Sequence, residues 1–588
     1  MAKNKKCGCG YSPLVILPGI NHSPTHLYDE NGNRALNSKG KEIGGTLVFL
    51  NTDEVKKMLP KLGAAALGTV ITQCDCGFKK TVYDTACKAF SYQKCDCNGD
   101  FINNLKTERW YYPIKEMDED RIAWAYRMVP MKALTDVIGE DHAYFFTFNL
   151  VGDPMDSARE LNDFIQLVKE QTGHDKVNLL PVSLGGTILT AYMDSYGKAN
   201  NYADIDMIVN TVACLDGTEI VGDMFERQFN TSDKYLHHKL IPTVLKEETG
   251  DGTKGYIANC LLHLFPQKSF NAVFSGFVSG MLDTVMLNCP QVWAMLPSYR
   301  YDAIARKYLA DPSKARLKER TDRFQQARIN LKQNLLDAAD AGVRINSISG
   351  SNINFGDIQY SMFGAIKSVD KFNTDGIINL SSTTLGATGA PDYQKLPEGY
   401  EQQYHKEFNY ISPDGRIDVS TALFPEHTWI FLNQHHEVGN NDVVLNLAKA
   451  ILTSEVNSVH DNPEKYPQFN GSCNTRHLRR WRLPDGEKAL ADIKSGALAC
   501  SEFVLTELES AVEAGKAVLS STIADSKKAQ EARANLEAVL QKLGRFTPDR
   551  EMTEKEKAKE KKAERASEFL LKALGGGSVT DRLLRRTK

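Results

Sequence analysis

The chain has 588 residues, of which 42% are hydrophobic and 25% are charged, and its formal net charge at pH 7 is −3. These values are typical of a globular protein with roughly two to four domains. So small a net charge argues against a nucleic-acid partner and against a strongly charged substrate.

No targeting or membrane-spanning segment is predicted. The basic N-terminus lacks a long apolar segment followed by a small-residue cleavage site, so we expect no secretory signal. The most apolar long window, 270–287, is interrupted by polar residues. It is better interpreted as a helix over an apolar pocket than as a transmembrane helix. We therefore expect a cytoplasmic protein.

The first predicted element is a strand, 14–17, that runs into a Pro-Gly loop ending at Ile20. The segment 22–48 is polar and rich in glycine, which is typical of a hairpin, and such a hairpin could partly cover a site entrance. A helical pattern over 52–62 then precedes a cysteine- and aromatic-rich insertion at 74–112.

Six of the twelve cysteines occur as three Cys-x-Cys pairs, two of them in this insertion. Thiolates clustered in this way can bind a structural zinc ion, with Cys74, Cys76, Cys95 and Cys97 as the candidate ligands. The alternative is that they are free thiols, which the spacing favours because zinc sites usually use Cys-x-x-Cys. An intracellular location argues against disulfides. The sequence predicts no other metal and no cofactor.

The next elements alternate between strand and helix, as in a parallel α/β sheet. A strand signal at 143–148 leads to a helix with Ser157 as its N-cap and Glu160 as the capping-box partner. The strand that follows, 177–180, is apolar throughout and ends in a turn at Ser183, after which a helical pattern resumes.

The turn at Ser183 has the form of a nucleophile elbow, which places a serine hydroxyl above the sheet. The usual pattern is G-x-S-x-G. Here Pro181 stands at the first glycine, while Gly185 and Gly186 keep the other side small. Such a turn gives acyl transfer an exposed nucleophile and a free backbone N–H for an oxyanion. The alternative is an ordinary strand-to-helix turn with a surface serine.

The whole pattern divides the chain into five parts. Residues 1–213 form one half of the sheet domain, 214–341 a mostly helical apolar cap, and 342–480 the other half. We interpret 481–545, rich in Ala, Glu and Lys, as a helical hairpin, and 546–588 as a solvated helix with a loose basic tail. Weak contact of that tail with a membrane surface is the less favoured alternative.

An elbow serine needs a base within hydrogen-bond reach and a carboxylate that orients this base. Asp375 lies on a loop after the strand that resumes at 343–350, and His435 and His436 follow the last predicted strand, 429–432. Serine, acid and histidine thus occur in the order required of an α/β-hydrolase, each after a predicted strand. Taken singly, Asp375 also fits a surface turn and the histidines a polar loop.

Five short segments carry a resemblance to a known family, namely Leu17-Pro18-Gly19-Ile20, 182–186, 293–298, 374–377 and 434–436. They resemble the lecithin:cholesterol acyltransferase-like branch of the α/β-hydrolases, which includes phospholipid:diacylglycerol acyltransferases and bacterial lipases. The resemblance extends in pieces over about 14–455 and does not reach the C-terminal helices.

This resemblance implies an α/β-hydrolase fold with an inserted helical cap, with Ser183 as the nucleophile and Asp375 as the acid. It implies His435 or His436 as the base. The spacing to the closing helix fits His435 without a gap, and His436 with a one-residue deletion.

The resemblance further implies the backbone N–H groups of Ile20 and Leu184 as oxyanion donors. Together with the apolar cap, it predicts a serine esterase or lipase that acts on a hydrophobic or lipid ester through an acyl-enzyme. Water would complete the cycle in a hydrolase, and an alcohol in an acyltransferase. The rival hypotheses are a thioesterase or peptidase on the same triad, and a non-catalytic protein of this fold whose C-terminal helices bind a partner.

Overall fold

A central sheet organises the computed structural model of the chain. The structure describes residues 7, 9–45, 50–228, 267–353, 371–391, 394–461, 463, 465–470, 478, 482–520 and 526–546. Nearly all of the predicted basic tail, and residues 229–266 of the predicted cap, therefore lie outside the described residues.

The strands among the described residues are β1 (Leu14–Leu17), β2 (Thr25–Leu27), β3 (Leu105–Thr107), β4 (Ala143–Phe145), β5 (Val177–Pro181), β6 (Ile205–Thr211), β7 (Arg344–Ser351), β8 (Thr388–Gly389), β9 (Ile417–Asp418), β10 (Thr428–Leu432) and β11 (Phe469–Asn470). Seven of them form the main sheet in the order β11-β10-β7-β6-β5-β1-β4, and its pairings are parallel. Two antiparallel pairs, β2–β3 and β8–β9, stand apart from it. The sheet thus continues one strand beyond the predicted last strand, which is β10.

Helices flank this sheet, which confirms the predicted α/β class. None of those within the described ranges is long and apolar enough to cross a membrane. The α-helices are Thr52–Thr72, Phe78–Ala89, Glu119–Met128, Lys132–Ile138, Pro154–Thr172, Gly185–Tyr192, Glu219–Glu226, Gln267–Thr284, Pro290–Ala294, Ser298–Tyr308, Ala315–Asp340, Leu380–Thr383, Asp442–Leu452, Leu483–Lys494, Glu502–Ser520 and Ser526–Lys542.

Both faces of the sheet are buried because successive strand residues point to opposite sides. On β1, Leu14 and Ile16 join an apolar core shared with the helices at 119–138 and 442–452. Val15 and Leu17 join a second core, shared with the helices at 154–172, 185–192 and 315–340. Because β1 is buried on both faces, it is apolar throughout and shows no alternation of apolar and polar residues in the sequence.

The helix before β5 begins earlier than its sequence pattern predicts. It starts at Pro154, and the N-cap is Asp153, whose side chain accepts a hydrogen bond from the N–H of Met155. Ser157 lies buried inside the first turns and is not the cap. Proline suits the first helical position because that N–H has no helical acceptor, so the Asp-Pro pair outcompetes the capping-box pattern.

The polar segment predicted as a hairpin folds back on itself over its described part, 22–45. Antiparallel bridges join Tyr28 to Arg34 and Leu36 to Glu42. Within it, β2 pairs with β3 from the cysteine-rich insertion. The hairpin segment and the insertion are therefore joined by backbone hydrogen bonds.

The cap helices form a third apolar core, which includes Phe225, Trp293 and Leu296. Phe90 and Cys95 of the cysteine-rich insertion belong to the same core. The insertion therefore packs against the cap. Within its described residues, the C-terminal region has helices at 483–494, 502–520 and 526–542 around a core of their own, where the sequence predicted a hairpin.

We expect Gly185→Ala to destabilise the protein strongly. A Cβ on Gly185 would collide with the backbone carbonyl oxygen of Leu17, and backbone cannot move aside as a flexible side chain can. The cost should be about 3 kcal/mol, measured as a lower Tm in thermal unfolding. The matched control is Gly63→Ala, at an exposed helical glycine with open space around it, which should raise the Tm slightly. Equal effects of the two substitutions would contradict this account.

Candidate active site

Ser183 lies on a strained turn between β5 and the helix Gly185–Tyr192. Its φ of 52° is in the left-handed region, which residues with a side chain rarely adopt. Its N–H donates to Thr211 O at 3.3 Å, and its carbonyl accepts the N–H groups of Gly186 at 3.0 Å and Cys214 at 2.8 Å. Three backbone hydrogen bonds thus hold the serine in this conformation.

Two glycines allow the helix to start directly against the sheet. The Cβ that Gly185 lacks would meet β1 at Leu17 O, and the one that Gly186 lacks would lie 2.7 Å from the backbone nitrogen of Cys214. Pro181 is tolerated because it ends the strand. The N–H of Asn178 donates to Pro13 O and that of Val182 to Leu17 O, so the residues around Pro181 keep their hydrogen bonds.

His436 bridges the serine and the buried carboxylate. Its Nε2 lies 2.9 Å from Ser183 Oγ, and its Nδ1 lies 2.7 Å from Asp375 Oδ2. Because a carboxylate only accepts hydrogen bonds, Nδ1 carries the proton and Nε2 is left to accept from the serine hydroxyl. The structure therefore brings together three of the residues predicted from the sequence, in the arrangement of a catalytic triad.

Asp375 is completely buried and fully engaged. Its Oδ1 accepts the N–H groups of Ile377 at 2.9 Å and Ile378 at 2.8 Å, while Oδ2 faces the imidazole. In addition, its backbone carbonyl accepts the N–H of His436 at 2.8 Å. These contacts fix both the carboxylate and the ring that it orients.

The start of the cap holds the same acidic loop from the other side. The Thr218 hydroxyl donates to Ile377 O at 2.5 Å, and the N–H of Glu219 donates to Asn379 Oδ1 at 3.2 Å. The loop that carries the acid is thus tied to the histidine loop and to the cap at once.

His435, the alternative base, lies outside the triad. Its Nδ1 accepts the N–H of Glu437 at 3.2 Å, a local contact within its own loop. The geometry selects His436, which corresponds to the one-residue deletion in the spacing to the closing helix.

The loop after β1 passes directly over the serine. A Cβ on Gly19 would lie 3.0 Å from Ser183 Cβ and 3.4 Å from Oγ, so a side chain there would have to displace the serine by a few tenths of an ångström. Ile20 follows at once and is 40% exposed, while Leu184 caps the helix that starts after the serine. Neither the N–H of Ile20 nor that of Leu184 donates a hydrogen bond to any residue that the structure describes. Both donors therefore remain available beside the serine oxygen.

His22 belongs to the same site and was missed in the sequence. Its Nδ1 accepts the N–H of Gly19 at 3.1 Å, and its carbonyl accepts the indole N–H of Trp124 at 2.9 Å. Burial lowers the pKa of His22 to about 4, and the neighbouring charge of His436 contributes. At neutral pH it is an uncharged acceptor that fixes the loop over Ser183. The only signal was a histidine three residues after Gly19, in a stretch that otherwise resembles a polar loop.

The less favoured possibility of a zinc site in the cysteine-rich insertion finds no support in the positions of its four cysteines. Cys74 and Cys76 are exposed at the end of a helix, whereas Cys95 is buried beside Cys289. Within the described residues, the four candidate ligands do not come together as a metal-binding group. The helix Phe78–Ala89 separates the two Cys-x-Cys pairs, and Cys95 belongs to the cap core.

No known family model matches this chain, and no curated protein matches it either. The resemblance to lecithin:cholesterol acyltransferase-like hydrolases therefore stays a prediction. The functional argument depends on the geometry of Ser183, His436 and Asp375.

Acid should destabilise the protein partly through His22. Its pKa is about 4 in the folded protein, against 6.5 for an ordinary imidazole, so the unfolded chain binds this proton first as the pH falls. Above about pH 6.5 the His22 imidazole does not lower the free energy of unfolding. Below that pH the free energy of unfolding falls, by about 2 kcal/mol at about pH 5.

His22→Asn is the matched variant, because its side-chain oxygen can accept the Gly19 N–H without titrating. Between about pH 7.5 and about pH 5, the Tm of the wild-type protein should fall further than that of His22→Asn. If both proteins lose the same Tm, the imidazole does not carry this pH dependence.

Proposed function

We propose that this protein is a serine ester hydrolase of the α/β-hydrolase type that works through an acyl-enzyme on Ser183. One observation carries the proposal, namely the continuous hydrogen-bonded line from Ser183 Oγ through His436 to Asp375. The proposal is also supported by the strained turn, the buried acid and the two available N–H donors. Serine hydrolases on unrelated folds share this constellation, which is recognised by geometry and roles.

In the first half of the reaction, His436 Nε2 takes the proton of Ser183 Oγ as the oxygen attacks the ester carbonyl carbon. The carbonyl oxygen becomes an oxyanion, which the N–H groups of Ile20 and Leu184 stabilise. One such donor contributes about 3 kcal/mol to the transition state. The intermediate collapses when the same Nε2 passes the proton to the leaving alcohol, and the acyl group stays on the serine.

In the second half, His436 deprotonates a water molecule, which attacks the acyl-enzyme and releases the acid. An acceptor alcohol in place of water would give an acyltransferase on the same residues. Throughout both halves, Asp375 stabilises the imidazolium and holds its orientation without itself taking the proton.

A hydrophobic acyl group is the substrate class that the surroundings of the serine favour. The carbonyl of Ser183 accepts the N–H of Cys214, so the segment leading into the cap begins at the nucleophile itself. That segment continues into the helix at 219–226, whose Val221 and Phe225 belong to the apolar cap core. An acyl chain on Ser183 that extends towards the cap would exchange water for apolar side chains.

Removal of the triad side chains should abolish turnover selectively. Ser183→Ala should eliminate labelling by a fluorophosphonate probe, and Asp375→Asn should lower kcat by roughly 10⁴-fold because the imidazole loses its orienting acceptor. His436→Gln should be at least as damaging, while the neighbouring control His435→Gln should change kcat by no more than a few fold.

These variants also distinguish the rival hypotheses. Folded wild-type protein that takes up no fluorophosphonate would favour a non-catalytic binding protein. A kcat that falls equally with His435→Gln and His436→Gln would remove the assignment of the base.

Turnover should increase with the length of the acyl chain. Each methylene that leaves water contributes about 0.8 kcal/mol, or about fourfold in kcat/KM. The measurement is a series of esters with one alcohol and acyl groups from acetyl to long-chain, with Ser183→Ala as the blank. A preference for acetyl over medium and long chains would contradict the hydrophobic acyl site but leave the triad chemistry intact.

A further inference from the structure

Four metal-binding side chains meet at the edge of the sheet opposite the triad. They are Cys7, Cys9, His142 and His174, and their ligating atoms all lie within 4.8 Å of one another. Cys7 Sγ is 3.4 Å from His142 Nε2, and Cys9 Sγ is 3.3 Å from His174 Nε2. The two imidazole rings stand at right angles with their centroids 5.4 Å apart, so both can point a nitrogen at one centre.

These separations fit the edges of a tetrahedral zinc site. With Zn–S near 2.3 Å and Zn–N near 2.05 Å, a tetrahedron has sulfur-to-nitrogen edges of about 3.6 Å. The two observed sulfur-to-nitrogen distances approach that value. A set of two thiolates and two imidazoles is a common composition of structural zinc sites, which have no open position for a substrate.

The surroundings of the cluster include the supporting contacts of a metal site. The other ring nitrogen of His142, Nδ1, lies 3.0 Å from Asp141 Oδ1, the carboxylate contact that orients a zinc-bound histidine. The backbone N–H of Cys7 points to Gly173 O at 3.5 Å, next to His174. Gly10 follows the second cysteine with a φ of 85°, which lets the chain turn from the cluster towards β1.

The geometry points to a structural site for one Zn²⁺ ion, held by Cys7 Sγ, Cys9 Sγ, His142 Nε2 and His174 Nε2. On binding, the two thiols lose their protons to solvent and the two imidazoles bind as neutral ligands. The ion would join three segments at the amino ends of neighbouring strands: the N-terminal segment before β1, the residue before β4, and the loop before β5.

The site is separate from the proposed chemistry. The triad lies at the carboxyl ends of the strands, and the length of β5, roughly 15 Å, separates Ser183 from the loop that carries His174. Zinc here would stabilise the fold and would not take part in acyl transfer. The inference therefore stands whether or not the proposed function is correct.

The test is the metal content of the full-length protein. Protein from zinc-supplied cells, passed through metal-free buffer, should contain about one zinc per chain by elemental analysis. The double variant Cys7→Ser/Cys9→Ser should contain little or none. The matched control is Cys74→Ser/Cys76→Ser, which removes an exposed pair of the same spacing and should keep the full amount.

Two further measurements keep the test independent of how the variants fold. Cobalt-substituted wild-type protein should show the intense visible bands of tetrahedral Co²⁺ and thiolate-to-cobalt charge transfer. A chelator should lower the Tm of the wild-type protein and leave that of Cys7→Ser/Cys9→Ser unchanged. Ser183 labelling should persist in that double variant while it is folded.

The inference would be overturned by wild-type protein without zinc, or by zinc that survives in Cys7→Ser/Cys9→Ser. An octahedral cobalt spectrum without charge transfer would overturn it as well. Loss of zinc in Cys74→Ser/Cys76→Ser, with retention in the other double variant, would return the metal to the insertion.

Discussion

The geometry of the candidate active site depends on how closely one turn approaches the strands beside it. After β5 the chain reverses in a few residues and begins a helix against β1 on one side and the segment 213–214 on the other. No side chain fits at either of the two glycines that follow Ser183. The serine itself accepts a left-handed backbone because two hydrogen bonds to neighbouring segments, and a third to Gly186 within the turn, oppose any relaxation. Strain at this one residue is what places its hydroxyl above the sheet.

The parallel sheet then brings distant parts of the chain to that hydroxyl. β7 and β10 are neighbours, so the loops after them meet, and a backbone hydrogen bond from His436 to Asp375 joins these loops before their side chains interact. Gly350, at the end of β7, allows the contact because a Cβ there would collide with Gln434 O. Ser183, Asp375 and His436 are therefore far apart in the chain but close together at one edge of the sheet.

The sequence predicted those parts of the site that local pattern determines. Ser183 could be identified because the strand, the turn and the paired glycines are contiguous, and Asp375 because it follows a strand on a loop with a glycine. The choice between His435 and His436 was beyond local pattern, since the direction of each ring depends on how the loop after β10 docks on Asp375. His22 escaped notice for a similar reason, because its role exists only once the loop after β1 covers the serine.

The cysteines also show that local sequence pattern does not reveal which residues come together in the fold. Sequence proximity suggested the pairs at 74–76 and 95–97 as the only candidate metal ligands, although their spacing favoured free thiols, and a helix separates them. Cys7 and Cys9 instead meet His142 and His174, because β1 lies between β4 and β5 and the amino ends of parallel strands share one edge. Nothing in the spacing of single histidines 32 positions apart reveals strand order.

The bonds from Thr218 and Glu219 to the acidic loop have a consequence for anyone who wishes to redesign this protein. These two hydrogen bonds join the start of the cap to Ile377 and Asn379, on the loop that carries Asp375. A design that replaces the cap to change specificity must therefore supply equivalent hydrogen-bond donors. Otherwise the carbonyl of Ile377 and the side-chain amide oxygen of Asn379 lose these partners. The practical boundary for such an exchange begins after Glu219, not at the first residue that leaves the sheet.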